Sequence, residues 1–155
     1  MEDLSLHMLD IVENSLRSGA TWIRISVVEE LEQDRLTLEI KDDGSGMDPA
    51  MCAQAADPFF TTKPGRRFGL GLALLAQAAR EAEGEFHVSS SPGAGTTVRA
   101  TFRWSHPDRK PLGDISATLQ TLVVGHPEVD FVFNHRMAAE TTHFDTREVR
   151  QSWST

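Results

Sequence analysis

Leu36-Thr37-Leu38-Glu39-Ile40-Lys41-Asp42-Asp43-Gly44-Ser45-Gly46 (36–46) alternates apolar and polar residues for one strand length, then breaks into acidic residues and glycines. A period of two marks a strand with one face on a core. The glycines end the ladder and leave backbone without side chains, so the carboxylate of Asp42 stands at a strand end beside a bare loop. Upstream, Trp22 to Val28 is a second alternating, β-branched run, and the charged stretch Glu29 to Asp34 between the two predicts the turn of a hairpin. Before that, Leu4 to Ser18 places Leu4, Met8, Ile11, Val12 and Ser15 on one side of a helical wheel and His7, Asp10, Asn14 and Arg17 on another. Gly19 supplies the helix stop.

Downstream, residues 47–68 scatter Pro, Gly and basic residues without periodicity and predict a mobile loop, with a short helix around Ala50 to Ala56. Gly69-Leu70-Gly71 opens a helix running to about Glu83, with Gly84 as its stop. Glu85 to Ser91 and Thr96 to Trp104, joined by Ser-Pro-Gly-Ala-Gly, predict a second hairpin. The order is therefore α, β, β, loop, α, β, β, an α/β (α+β) arrangement. His106 to Pro111 reads as a linker, because its two prolines cannot continue a central strand. The expected organisation is a domain at 1–105 and a C-terminal extension at 106–155. The extension carries a helix (Ile115 to Val124), a strand (Val129 to Asn134) and a polar tail, and it packs on the domain or on a partner.

Composition narrows the function. At 155 residues and 39% hydrophobic content the chain fits one ordinary domain with its own core. No apolar run approaches the roughly 20 residues needed to span a bilayer, and the N-terminus lacks a secretory signal, so no membrane role and a cytoplasmic location are expected. A lone cysteine, Cys52, forms no internal disulfide, and no Cys/His spacing suggests zinc. A net charge of −8 repels a phosphate backbone and argues against nucleic acid as a partner.

Three features carry chemistry. Asp10 and Asn14 sit one turn apart on the polar helix face, either simply solvated or presenting a carboxylate and an amide oxygen to a site. An Asn oxygen suffices for Mg²⁺ when a triphosphate and water supply the other ligands. Asp42, with Gly44 and Gly46 beside it, is either an ordinary Asp-Gly turn or a carboxylate that accepts the exocyclic amine of adenine while the glycines admit the ring and ribose. Gly69 and Gly71 place bare amides at a helix start, where unpaired N–H groups and the helix dipole favour phosphate if a ligand is present. Thr61, Thr62, Lys63, Arg66 and Arg67 cluster just before them. No GxxxxGK[ST] loop occurs, which excludes a P-loop. His7 reads as a surface or pocket-edge residue rather than a phosphoacceptor.

The order of helix Asn, Asp-x-Gly-x-Gly (42–46), Phe-Phe-Thr-Thr-Lys (59–63), Gly-Leu-Gly-Leu (69–72) and Gly-Thr-Thr (95–97) resembles the gyrase, heat-shock chaperone, histidine kinase and MutL ATPase superfamily (GHKL). Asp57 to Lys63 and Gly69 to Leu74 are most similar to histidine kinases, whereas Val12-Glu13-Asn14-Ser15-Leu16 with Gly19-Ala20-Thr21 is similar to MutL. The resemblance, over about residues 5–104, implies a Bergerat-type two-layer sandwich, a mixed sheet covered on one face by helices. It implies ATP and Mg²⁺ as cofactors and Asn14 as the metal ligand. It further implies that Asp42 reads adenine, that Gly44 and Gly46 form the pocket floor, that Thr96 lies beside the base, and that Lys63, Gly69 and Gly71 meet the phosphates under a lid at 57–68. Hydrolytic members carry Glu four residues before the Asn; here Asp10 stands there, and Glu13 is the other candidate acid. The chain begins at the ATP-binding helix, without an upstream phosphoacceptor helix pair, so a self-contained histidine kinase is not expected. The expected function is a kinase-like phosphotransferase acting on, or signalling to, an unidentified protein partner, with homodimerisation left open. The alternatives are an ATP-gated binding module with little turnover and a MutL-like hydrolase.

Overall fold

The computed structural model describes residues 3–46, 71–109 and 111–148. Helix α1 (Leu4–Arg17) is followed by strands β1 (Trp22–Glu30) and β2 (Arg35–Asp42), helix α2 (Gly71–Glu81), strands β3 (Phe86–Ser90) and β4 (Thr96–Arg103), helix α3 (Ile115–Gly125), and strands β5 (Asp130–Met137) and β6 (Glu140–Asp145). The six strands form one mixed sheet in the order β3-β4-β2-β1-β5-β6. Only β1 and β5 run parallel; the other neighbouring pairs are antiparallel. No helix among the described residues is long and apolar enough to cross a membrane.

Alternation along β1 decides which face is inside. Ile23, Ile25 and Val27 are buried while the residues between them are only partly covered. Register carries that choice across the sheet: Val88, Val98, Ile40, Ile25, Phe133 and Phe144 form one continuous row over all six strands. Against it pack Leu4, Met8, Ile11 and Val12 of α1, Leu72 and Leu75 of α2, and Leu119 and Leu122 of α3, within one core cluster. The next row over, Arg24, Lys41 and Thr97, faces away from the helices. The result is a two-layer sandwich with helices on one face, as the resemblance implied.

The start of α1 is closed from both sides. Asp3 caps it by accepting from Leu6 N–H at 3.0 Å, and the amides of Leu4 and Ser5 donate to the carbonyls of Pro111 (2.8 Å) and Leu112 (3.0 Å). The segment after His106 therefore runs back along the domain. α2 ends in a Schellman turn, in which Gly84 N–H donates to Ala79 C=O at 2.7 Å. The left-handed residue of that turn is Glu83, at φ 58°. Gly84 is needed for a different reason: a Cβ there would lie 1.7 Å from the Thr101 carbonyl oxygen.

Three sequence expectations change. His7 is 3% exposed rather than a surface or pocket-edge residue, because α1 is flanked by both α2 and α3. The charged stretch Glu29 to Asp34 is only partly a turn: Glu29 and Glu30 belong to β1, a 3-10 turn covers Leu31–Gln33, and Asp34 closes it at φ 52°. The polar tail contains β6, an edge strand whose exposed residues hide its period. The short helix expected around residues 50–56 lies outside the described residues.

Glu29 is a charged residue at 7% exposure, and each of its oxygens has a partner. Trp104 Nε1–H donates to Oε1 at 3.0 Å, and His135 Nε2 lies 2.7 Å from Oε2. It joins β1, the chain beyond β4, and β5. Glu29→Ala leaves the indole N–H without its acceptor and is expected to cost about 2 to 3 kcal/mol, against about 1 kcal/mol for Glu29→Gln. Urea unfolding of the two variants checks this; equal midpoints would show that the bonds contribute nothing.

Candidate functional site

The site is organised around Asp42, the last residue of β2, which is 6% exposed. A buried carboxylate is tolerated only with donors, and Asp42 has one on each oxygen. Ser15 Oγ–H, from the buried side of α1, donates to Oδ2 at 2.6 Å, and Gly44 N–H donates to Oδ1 at 2.8 Å. An ionised carboxylate accepts about four hydrogen bonds, so two donors leave it able to take another. Across the β2–β4 ladder its neighbour is Thr96, whose hydroxyl lies 2.9 Å from Ser90 Oγ.

The glycine loop is fitted to this strand end by the protein's own backbone. A Cβ on Gly44 would sit 2.0 Å from Ser18 Oγ, and one on Gly46 would sit 2.1 Å from the Ser91 carbonyl oxygen. Packing alone thus demands glycine at Gly46, where the contact is backbone and φ is 75°, whereas a side chain at Gly44 would have to displace the Ser18 hydroxyl. Gly93 N–H donates to Ser45 C=O at 2.7 Å, and Ser45 N–H to Ser18 C=O at 3.0 Å, so the loop is fastened to the turn between β3 and β4 and to the end of α1.

Asp10, Glu13 and Asn14 lie on α1, one residue or more before Ser15. Asp10 and Asn14 are partly buried and Glu13 is exposed. Asn14 Oδ1 accepts from Arg17 one turn on. Gly71, the first described residue of α2, abuts Asp10: a Cβ there would lie 2.9 Å from Asp10 Cβ. The fold therefore brings Asp10 to the start of α2, and Asp42 to α1, the 44–46 loop and Thr96. Lys63 and Gly69, with the whole lid segment 57–68, lie outside the described residues.

Ser15 is the residue that sequence reading places in the core but that the structure places on the site. Asp43 is another. Its carboxylate accepts from Thr21 N–H (2.8 Å), Thr21 Oγ1–H (2.7 Å) and Trp22 N–H (2.9 Å), tying the end of β2 to the start of β1. A depression of about 330 Å³ lies between α3 and β6 and shares none of these residues. It is lined mainly by Leu119, Val123, Phe133 and Phe144, with no Lys or Arg among its lining residues to meet a triphosphate.

Residues 2–106, which carry α1, the end of β2 and α2, match a family described as histidine kinase-, DNA gyrase B- and HSP90-like ATPases. The chain belongs to this family. Relatives include the sensor histidine kinase YxdK of Bacillus subtilis, 39% identical over 97 residues that cover 59% of this chain and 30% of the relative. The sensor protein kinase FleS of Pseudomonas aeruginosa is 40% identical over 89 residues, 57% of this chain and 22% of the relative. This chain thus spans less than a third of either kinase. A solved N-terminal domain of a DNA repair protein superposes with a TM-score of 0.54 at 18% identity, over 94% of this chain and 52% of its own. That likeness concerns the fold. Residues 2–106 are accordingly an ATPase-family module of histidine kinase-like type, to which residues 107–148 add α3, β5 and β6 on the β1 side of the sheet.

Burial pushes the Asp43 carboxyl up, but the bonds from Thr21 and Trp22 outweigh it and hold the group below its ordinary 3.8. A carboxylate lowered in the folded state stabilises fully above its unfolded value and loses that contribution as pH falls through the folded one. Unfolding measured at a series of pH values below about 4 should therefore show a shallower acid loss for Asp43→Asn than for the wild type. Identical slopes would show that the Thr21–Asp43 clamp does not form.

Proposed function

We propose that the chain binds Mg-ATP at the Asp42 site and passes its γ-phosphoryl group, or a nucleotide-dependent signal, to a partner protein. The observation that carries the reading is the buried Asp42 carboxylate, oriented by two donors at the end of β2 beside Thr96, in a member of an ATPase family. A fixed acceptor of this kind suits the exocyclic amine of adenine and meets the carbonyl of guanine with repulsion. Thr96 lies beside the base.

The oxygen donors fit a hard cation. Asn14 would hold Mg²⁺ together with triphosphate oxygens and water; the residue is partly exposed, and among the described residues its amide oxygen accepts from the surface residue Arg17, which the metal would displace. When bound, the metal neutralises charge on the phosphates. Gly69 and Gly71 would present backbone amides to those phosphates at the start of α2, and Lys63 would add a cation. Asp10, set against Gly71, would orient the attacking group; Glu13, exposed on α1, is the second candidate. Residues 1–105 are then the nucleotide-binding unit and 106–155 a C-terminal extension whose described part packs on that unit.

A second reading rests on Asp10 itself. A carboxylate one methylene shorter than the Glu of the hydrolytic members reaches less far, which favours a slow ATP-gated switch over a rapid enzyme. Turnover separates the two: radiolabelled phosphate appearing on a partner supports the kinase, and tight binding without release or transfer of phosphate supports the switch.

Asn14→Ala is expected to weaken binding of a non-hydrolysable ATP analogue by tenfold or more in Mg²⁺, to about the level the wild type shows in EDTA. Unchanged affinity would remove Asn14 from the metal site. Asp10→Ala is expected to lower turnover by about a hundredfold or more with less than threefold change in affinity, as measured by phosphate release and titration. The opposite pattern would make Asp10 a binding residue.

A further inference from the structure

The Ser15–Asp42 bond does more than satisfy a buried carboxylate. Ser15 is 4% exposed and follows Asn14 directly in α1. Its hydroxyl holds one oxygen of Asp42 at 2.6 Å, while Gly44 N–H holds the other at 2.8 Å. With a donor on each oxygen, rotation about the last side-chain bond would break both contacts, so the carboxylate plane is fixed. The backbone around Ser15 is fixed as well. Its carbonyl accepts from Ser18 Oγ–H at 2.7 Å and from Ala20 N–H at 3.2 Å, and a Cβ on Gly44 would strike Ser18.

We infer that Ser15 is a positioning residue for base recognition: by fixing the Asp42 carboxylate it makes the site select a purine bearing a 6-amino group. The inference rests on Asp42 reading adenine. Because Asn14 and Ser15 are adjacent on one helix, a single rigid element then carries the metal ligand and the anchor of the base reader. A shift of α1 moves both together.

A merely structural serine would, on removal, weaken every nucleotide alike. A positioning serine weakens only those that use the amine. Affinities of ATP and of purine riboside triphosphate, which lacks the amino group, are measured for wild type, Ser15→Ala, Asp42→Asn and the double variant. Ser15→Ala is expected to weaken ATP about tenfold and the purine analogue less than twofold, the size of one hydrogen bond to a charged group. The double variant is expected to bind ATP no more weakly than Asp42→Asn alone, since the hydroxyl acts through the carboxylate. Equal loss for both nucleotides in Ser15→Ala, or additive losses in the double variant, overturns the role of Ser15 while leaving adenine reading intact if Asp42→Asn weakens ATP more than the purine analogue. If Asp42→Asn weakens both nucleotides equally, adenine reading falls and the role of Ser15 with it.

Discussion

Burying a carboxylate at the end of β2 obliges the fold to bring donors to it, and that requirement organises much of what surrounds Asp42. The Ser15 hydroxyl can reach Oδ2 only if α1 lies over the strand end in one rotation. With Ser15 turned inward, Asp10 and Asn14, five and one residues before it, are carried round to the partly exposed side. The amide of Gly44 can reach Oδ1 only if the loop turns back at once, and the Ser91 backbone leaves no room for a side chain at Gly46. One buried charge thus fixes a helix rotation and a loop path together.

The sheet supplies the rigidity that makes such a fix useful. The apolar row from Val88 to Phe144 crosses all six strands, so the end of β2 cannot tilt without disturbing neighbours on both sides. Residues beyond the family module take part. β5 extends the sheet along β1, α3 adds Ile115, Leu119 and Leu122 to the common core, and Pro111 and Leu112 occupy the first amides of α1. Glu29 joins β1 to Trp104 and His135 by the same logic as Asp42, a buried acid with a donor for each oxygen. Substitutions in this added segment can therefore reach the site through α1 and β1 without touching it.

Much of the architecture was legible in the sequence because strong periodicities coincided with strong stops. The alternation of Trp22 to Val28 and of Leu36 to Ile40, the apolar stripe of α1, and the glycines bounding α2 each gave an element near its observed place. The misses have physical causes. β6 lies at an edge with mostly exposed side chains, so no burial imposes a period on Glu140 to His143. Glu29 reads as solvated until Trp104 and His135, far away in sequence, are seen to enclose it. His7 belongs to a polar stripe of α1 that is otherwise partly or fully exposed, and tertiary packing covers it alone. Of the candidate site, the residue types and their order were legible, whereas the coupling of positions 15 and 42 was not, since a serine on a packing face gives no sign that a carboxylate will meet it. The lid residues with Lys63 and Gly69 lie outside the described residues, and the roles of Asp10, Glu13, Asn14, Asp42 and Thr96 are proposals.

The central claim is that Asp42 and Asn14 form one site for Mg-ATP. Calorimetric titration of the protein with a non-hydrolysable ATP analogue, with Mg²⁺ and with EDTA, and with the matching GTP analogue as control, tests it most directly. The account predicts saturable binding of the adenine nucleotide that weakens at least tenfold without Mg²⁺ and at least tenfold for guanine. Equal affinity for the two bases, or binding indifferent to the metal, would contradict it.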